Sequence, residues 1–388
     1  MAIIGIIAEF NPLHKGHEYL IAEAKKQGTV VVVISGNFVQ RGETAIAEKR
    51  IRAEAALRCG ADLVLELPVL WSMSTAENFA LGGVSVLKNI GCQKIIFGSE
   101  CGNIETLQKS ADILLSPEFS EKVAKKLKIG VTFAVAREAA AAECGLESGI
   151  LGKPNNNLAI EYIKAAKQLD YNIEFETVKR IGADHDSYDE AVFVSASLLR
   201  EKLNCGDYTF CRKYMSQEAL SLFTPETVSD MNRIDRAVLA VLRAKSIDEL
   251  KTLPDISEGV ENKLFSAIRL AESLEDLYNK VKVKRYTLAR IRRMALSAFI
   301  GADNFFFMKP PPYIRVLGFN KKGEAQLKAG AGSSDIPVIT RWADIKRLGQ
   351  GALKVFETEC RATDLFALSL AKPLPCRLEY TAKIIKTE

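Results

Sequence analysis

Four short apolar runs in the first hundred residues constrain this chain more than any other feature: residues 3–7 (IIGII), 29–35 (TVVVVIS), 61–68 (ADLVLELP) and 94–99 (KIIFGS). Each is too continuous for a half-exposed strand, and each reads as a strand covered on both faces. Helical spacing fills the gaps. Leu20, Ile21 and Ala24 recur at that spacing from about His14, AEKRIRAEAALRCG ends at Gly60 in a helix-stop position, and TAENFALGGVSVLKNIG carries an internal glycine pair. Strands alternating with helices predict a parallel, doubly wound α/β sheet, in which a ligand binds beyond the carboxyl ends of the strands. Residues 9–17, 35–42 and 98–100 would all fall there.

Beyond this region, residues 104–167 read as mostly helical, interrupted by a polar GKPNNN loop, and 172–182 returns to strand character before SASLLREKL opens a helix. The first unit is expected to span residues 1–204. Apolar residues at helical spacing predict a helical domain over 205–302, and strand-like YIRVLGFN, IPVIT and RLEYTAKII predict a small C-terminal α/β portion over 303–388. A length of 388 residues with 48% hydrophobic content supports a large core and two or three domains.

No apolar run is long enough to span a bilayer, and the N-terminus lacks the pattern of a secretion signal, so a cytoplasmic location is expected. The eight cysteines include no C-x-x-C pair and are read as reduced thiols, with no metal site expected among them. A net charge of +5 is too modest to argue for nucleic acid by itself. The sequence does not fix an oligomeric state.

Two of the three histidines, His14 and His17, stand in GIIAEFNPLHKGHEYL. The turn formers Asn11 and Pro12 end the first strand, placing both imidazoles on the first turn of the following helix and on one of its faces. Backbone N–H groups, the helix dipole, Gly16 and two imidazoles together suit a phosphate. Ordinary polar helix positions are the other reading of such a pair. SASLLR sets Ser195 and Ser197 at a helix start with Arg200 one turn on, which suits either a second anion site or plain capping. SGNFVQRGE after the second strand is a surface loop or part of a site. ADHDSYD flanks His185 with Asp184 and Asp186, which reads as a metal cluster or a surface loop, the loop being favoured because adjacent residues rarely chelate one ion together. KVKRYTLARIRRM collects Lys282, Lys284, Arg285, Arg290, Arg292 and Arg293 without an acidic residue, and Arg285, Arg292 and Arg293 are expected on one helix side. It reads as an RNA phosphate footprint or a solvated helix face.

The strand, turn and His-x-Gly-His resemble the HIGH-type nucleotidyltransferase superfamily. With ISGNFVQRGE, LVLELP, FGSE, KPNNN, SASLLR and KRYTLARIRR in order, the chain more closely resembles the tRNA(Met) cytidine acetate ligase family. That resemblance implies a Rossmann-like unit binding ATP, with Mg²⁺ carried in on the phosphates, and catalytic roles for His14 and His17. It implies ATP contacts along Ile7, Ala8, Glu9, Phe10, Asn11, Pro12, Leu13, Lys15, Gly16, Glu18, Tyr19 and Leu20, and at Gly98, Asn155, Asn156, Arg180, Ser195, Ser197 and Arg200. Gln40 and Arg41 fall on the acetate and acceptor side, and the basic segment falls to elongator tRNA(Met). The family motif Pro-Asn-Asn-Ile-Leu-Gly is altered here to carry Asn157 and Ala159.

The implied reaction is attack of acetate on the α-phosphate of ATP to give acetyl-adenylate and pyrophosphate, followed by acetyl transfer to the wobble cytidine amine, forming N(4)-acetylcytidine. A small-molecule adenylyltransferase of nicotinamide or pantetheine phosphate is a rival, opposed by the length beyond Asn204. A non-enzymatic RNA-binding protein is another, opposed by the two anion sites.

Overall fold

The computed structural model describes residues 2–180, 194–257 and 259–388, so Asp184, His185 and Asp186 lie outside the described residues. Its strands are β1 (Ala2–Ala8), β2 (Gly28–Ser35), β3 (Phe38–Val39), β4 (Glu43–Thr44), β5 (Leu63–Leu67), β6 (Lys94–Ser99), β7 (Glu174–Lys179), β8 (Ile314–Phe319), β9 (Val338–Ile339) and β10 (Ile385–Lys386). The main sheet runs β10-β8-β5-β2-β1-β6-β7, with β9 also on β8, while β3 and β4 form a separate hairpin. Pairing from β5 through β7 is parallel, and the four apolar runs form its centre. The mostly parallel α/β fold follows from that alternation, since each crossover helix covers a sheet face.

Two helices set the first two crossovers: α1 (Lys15–Gln27) and α2 (Lys49–Arg58). The helix Ala76–Asn89 approaches the sheet so closely that a Cβ at Gly83 would lie 2.8 Å from Ile7, and one at Gly82 would lie 2.6 Å from Trp71. This close approach explains the internal glycine pair.

Three local expectations change. Residues 154–157 are no loop: Pro154 opens the helix Pro154–Gln168, because its fixed φ and missing N–H suit a first helical position. Most of RLEYTAKII is not strand; Leu378–Thr381 is a short helix, and only Ile385–Lys386 pairs. Arg285 is not on the basic helix, which begins at Leu288 behind a Thr287 cap after a Val283–Tyr286 bridge.

The C-terminal portion also supplies strands to the first unit's sheet. β8 lies antiparallel to β5 and is buried throughout. β5 is likewise buried throughout, and β8 satisfies the backbone edge it would otherwise expose. A buried ion cluster binds the same parts together: Lys49 Nζ meets Glu66, Glu359 at 2.8 Å and Glu379 at 2.7 Å, and Arg315 and Arg50 also reach Glu379. The helices between Asp235 and Ile300 pack around a second apolar cluster that includes Leu239, Leu264, Leu277 and Leu296.

Candidate active site

β1 ends at Ala8, and Glu9 to Leu13 then turn the chain into α1 at the carboxyl edge of the sheet. Phe10 adopts a left-handed φ of 46°, an uncommon conformation for a bulky residue, and is fully buried with its ring edge-on to His17. Arg52 fixes the turn from beneath. Its buried guanidinium donates to the carbonyls of Glu9 at 2.6 Å, Ser35 at 2.9 Å, and Gly36, while its Nε donates to Ala47. The ends of β1 and β2 are thereby held in register.

His14 is the N-cap of α1 rather than part of its first turn. Its Nδ1 accepts Gly16 N–H at 3.1 Å, and His17 Nδ1 accepts His14 N–H over a longer 3.4 Å. An acceptor Nδ1 leaves Nε2 to carry the proton of each neutral ring, an assignment drawn from the bonding pattern. The rings stack with centroids 3.9 Å apart. Burial, reinforced by Arg180, lowers the His14 pKa to about 4; burial, with His14 and Arg180 nearby, holds His17 well below its ordinary value. A hydrogen bond to the Pro12 backbone opposes the lowering at His17 without reversing it, and both imidazoles are neutral at pH 7. The backbone N–H groups of Gly16, His17 and Glu18 already bond within the turn, so they do not serve as the open anion donors expected from the sequence.

Other members of this segment divide between site and scaffold. Ile7 and Ala8 close β1, Pro12 and Leu13 are buried, Lys15 is exposed, Tyr19 is 49% exposed and Leu20 is half-buried. Asn11 Oδ1 accepts Ile46 N–H at 2.6 Å, and Glu18 accepts Ser216 N–H at 3.0 Å, so both hold the framework.

Glu9 faces the β3–β4 hairpin and accepts Gln40 N–H at 2.9 Å. Burial raises its pKa, opposed by that bond and by Arg41, Arg200 and Arg52. Arg41 is exposed, whereas the Gln40 side-chain nitrogen is buried without a hydrogen-bond partner. Gly42, at φ 73°, lies against the basic helix, where a Cβ would come within 2.6 Å of the Arg293 backbone nitrogen. Glu43 pairs with Arg292 and stands 3.7 Å from Arg200.

Arg200 donates to Asn11 O at 3.0 Å and to Ser197 Oγ at 3.1 Å, bringing the SASLLR helix start against the histidine loop. Ser195 Oγ caps that helix by accepting Leu198 N–H. Arg180 N–H donates to Ser99 O at the end of β6, and Arg180 Cγ lies 3.4 Å from where a Cβ on Gly98 would stand.

The asparagine run is occupied by the protein itself. Glu100 accepts the N–H groups of Asn155 and Asn156 and the Asn155 side-chain amide, while Asn156 Oδ1 accepts the N–H groups of Glu100 and Cys101. Burial alone would raise the Glu100 pKa, but these bonds outweigh it and lower it. The anion at this helix start is Glu100, a role the sequence reading did not assign. Asn157 accepts from Arg137 at 3.0 Å.

The basic segment splits in two. Lys282, Lys284 and Arg285 are exposed. Arg293 instead pairs with Asp255 at 2.7 Å and donates to Gln40 O, Arg290 bonds Asp255 O and Ser257, and Arg292 serves Glu43. Glu43, Arg52 and Asp255 are site-forming residues missed from sequence. Only their charge beside apolar stretches could have marked them.

Comparison with known proteins agrees with the mostly parallel α/β fold. The HIGH Nucleotidyl Transferase family matches residues 1–379. The chain is 39% identical to the tRNA(Met) cytidine acetate ligase of Caldanaerobacter subterraneus subsp. tengcongensis and 37% identical to that of Thermoanaerobacter sp. (strain X514), each over 100% of both chains. Its fold is similar to the crystal structure of Thermotoga maritima TmcAL bound with alpha-thio ATP, with a TM-score of 0.92 and 29% identity over 100% of this chain and 99% of that one.

Proposed function

The chain belongs to the tRNA(Met) cytidine acetate ligase family of HIGH nucleotidyltransferases, and from that membership we propose that its carboxyl-edge site activates acetate with ATP and passes the acetyl group to the wobble cytidine of elongator tRNA(Met). One observation carries the assignment of the site: two neutral imidazoles, each fixed through Nδ1, stand together at the end of the first strand.

Acetate has no leaving group, and the exocyclic cytidine amine is a weak nucleophile because its lone pair is conjugated into the ring. Activation must therefore precede transfer. An acetate oxygen attacks the α-phosphorus of ATP, the bond to the β-phosphate oxygen breaks, and pyrophosphate leaves with acetyl-adenylate formed. The cytidine amine then attacks the acetyl carbon, AMP departs and the amine loses a proton.

The protein's task is positioning and charge compensation. His14 and His17 supply Nε2–H donors to the phosphate oxygens without adding a full charge that would bind substrate and transition state alike. Arg200, bonded to the Asn11 carbonyl, and Arg180, near enough to lower the pKa of both histidines, supply the fixed positive charge. Gln40 and Arg41 take the acetate side, where the unpartnered Gln40 amide offers a donor to a carboxylate. Mg²⁺ fits as an ion carried by the ATP phosphates, since Glu9 and Glu43 are engaged with Gln40 and Arg292. Among the described residues no group of three or more His, Cys, Asp or Glu side chains could hold a metal, and no helix is long and apolar enough to cross a membrane.

The domain roles follow: residues 1–204 bind ATP, 205–302 contact tRNA through exposed Lys282, Lys284 and Arg285, and 303–388 complete the sheet. Labelled acetate incubated with ATP, Mg²⁺ and the tRNA tests the reading. Label should enter RNA cytidine with ATP and without acetyl-coenzyme A; label entering only with acetyl-coenzyme A would reject it.

A further inference from the structure

Residues 303–309 form an aromatic loop outside the candidate active site. Phe305, Phe306 and Phe307 stand in sequence, yet Phe306 is 8% exposed whereas Phe305 and Phe307 are 55% and 46% exposed. Phe306 is the anchor, packed against Trp71 with ring centroids 5.7 Å apart and meeting Phe305 edge-on at 4.9 Å. Backbone bonds complete the hold: Met308 N–H donates to Asn78 at 2.9 Å, and Trp71 donates to Lys309 O at 2.8 Å. Met308 adopts a left-handed φ of 55°, a strained conformation for a long side chain. Two outward aromatic rings are thus rigidly held at a cost to both solvation and backbone.

The surroundings are cationic. Lys309 Nζ lies 4.5 Å and Lys354 Nζ 4.8 Å from the centroid of the Phe305 ring. Asp303 offsets part of that charge by pairing with Lys354. The loop also sits at the carboxyl edge of the sheet. Its anchor Trp71 lies in the short helix Val69–Ser72 that follows β5, Asn78 lies in the next helix, and Ser72 beside Trp71 donates to Phe38 O in the hairpin that carries Gln40 and Arg41. Phe307 further lines a groove with Met73, Pro254 and Asn304, between that segment and the helical domain.

We infer that Phe305 and Phe307, with Lys309 and Lys354, form a stacking platform for unpaired nucleotides of the RNA substrate beside the acetylation site. This rests on the tRNA reading above and assigns it a surface. Lys309 and Lys354 stand over the Phe305 ring, and an incoming base would take their place on it while they turn to its phosphate; single-stranded RNA is held by this combination of rings and ammonium groups. A single aromatic ring exposed among acidic groups would not.

The test uses the full chain and an elongator tRNA(Met) transcript, with affinity followed against salt and thermal unfolding followed as a control for fold. Phe305→Ala should weaken binding about 5- to 140-fold, the range for loss of one base stack, while leaving the slope of log affinity against log salt unchanged. Phe305→Trp should retain affinity, and Lys309→Ala should lower the slope by about 0.7, as for one phosphate contact on a single strand. Wild-type affinity in Phe305→Ala and Phe307→Ala alike would overturn the platform. So would a fall in oligomeric state of Phe305→Ala without RNA, which would assign the rings to a protein interface. A wild-type chain that leaves the transcript unacetylated would overturn the parent reading and the platform with it.

Discussion

His14 and His17 stack at 3.9 Å with both Nδ1 atoms turned to backbone N–H groups, so a proton added to either ring would face its neighbour and break a cap. Both rings should stay neutral through the physiological range. Nitrogen-15 NMR of the imidazoles should find neither titrating between about pH 6 and 8. Folding linkage has a matching sign. With the folded pKa of His14 at about 4 and the ordinary value at 6.5, the unfolded chain binds more protons between these limits. This contribution is complete above 6.5 and is lost as pH falls through the window to 4. Titration of His14 or His17 near 6.5 in the folded protein would contradict their assignment as neutral rings.

His17→Ala should lower acetate-dependent exchange of pyrophosphate into ATP by about 10²-fold or more, the usual effect of removing one transition-state donor. Circular dichroism should remain native. Near-normal exchange in a folded variant would take His17 out of the mechanism.

Glu100→Ala should act on stability before chemistry. It strips three acceptor contacts from the start of the Pro154–Gln168 helix, and the loss of a helix cap costs about 0.5–2 kcal/mol. Urea unfolding measures this directly. Unchanged stability with a selective rise in KM for ATP would instead make the asparagine run a nucleotide contact.

The Lys49 cluster predicts unequal outcomes for its members. Lys49→Met leaves Glu66, Glu359 and Glu379 without their shared cation and should cost about 3–5 kcal/mol. Burial and the neighbouring Glu66 push the Glu359 pKa up against the pull of Lys49, which favours its protonated form over those of Glu66 and Glu379. Glu359→Gln should therefore be tolerated to within about 1 kcal/mol. Equal losses from the two variants in denaturant unfolding would show Glu359 to be ionised.

Legibility in the sequence followed the range of the signal. Apolar runs such as those of β2 and β5 report their own burial, so the central strands and their crossovers could be read locally. The pairing of β8 with β5 joins residues about 250 apart, and no periodicity in either run encodes it. The same division holds in the site. His14, Gly16 and His17 act within one turn and are visible as a motif, whereas Glu43 acquires its role only when Arg200 and Arg292 arrive from distant helices. The basic segment misled because charge was counted without partners: Arg293 meets Asp255 across the fold.

The fate of the adenylyl group tests the central claim most directly. ATP labelled at the α-phosphate, incubated with the full chain, acetate, Mg²⁺ and elongator tRNA(Met), should yield free AMP in step with acetylated cytidine, and neither should form without acetate. Adenylate stably joined to a product, or ATP left intact while the RNA is bound, would contradict the account.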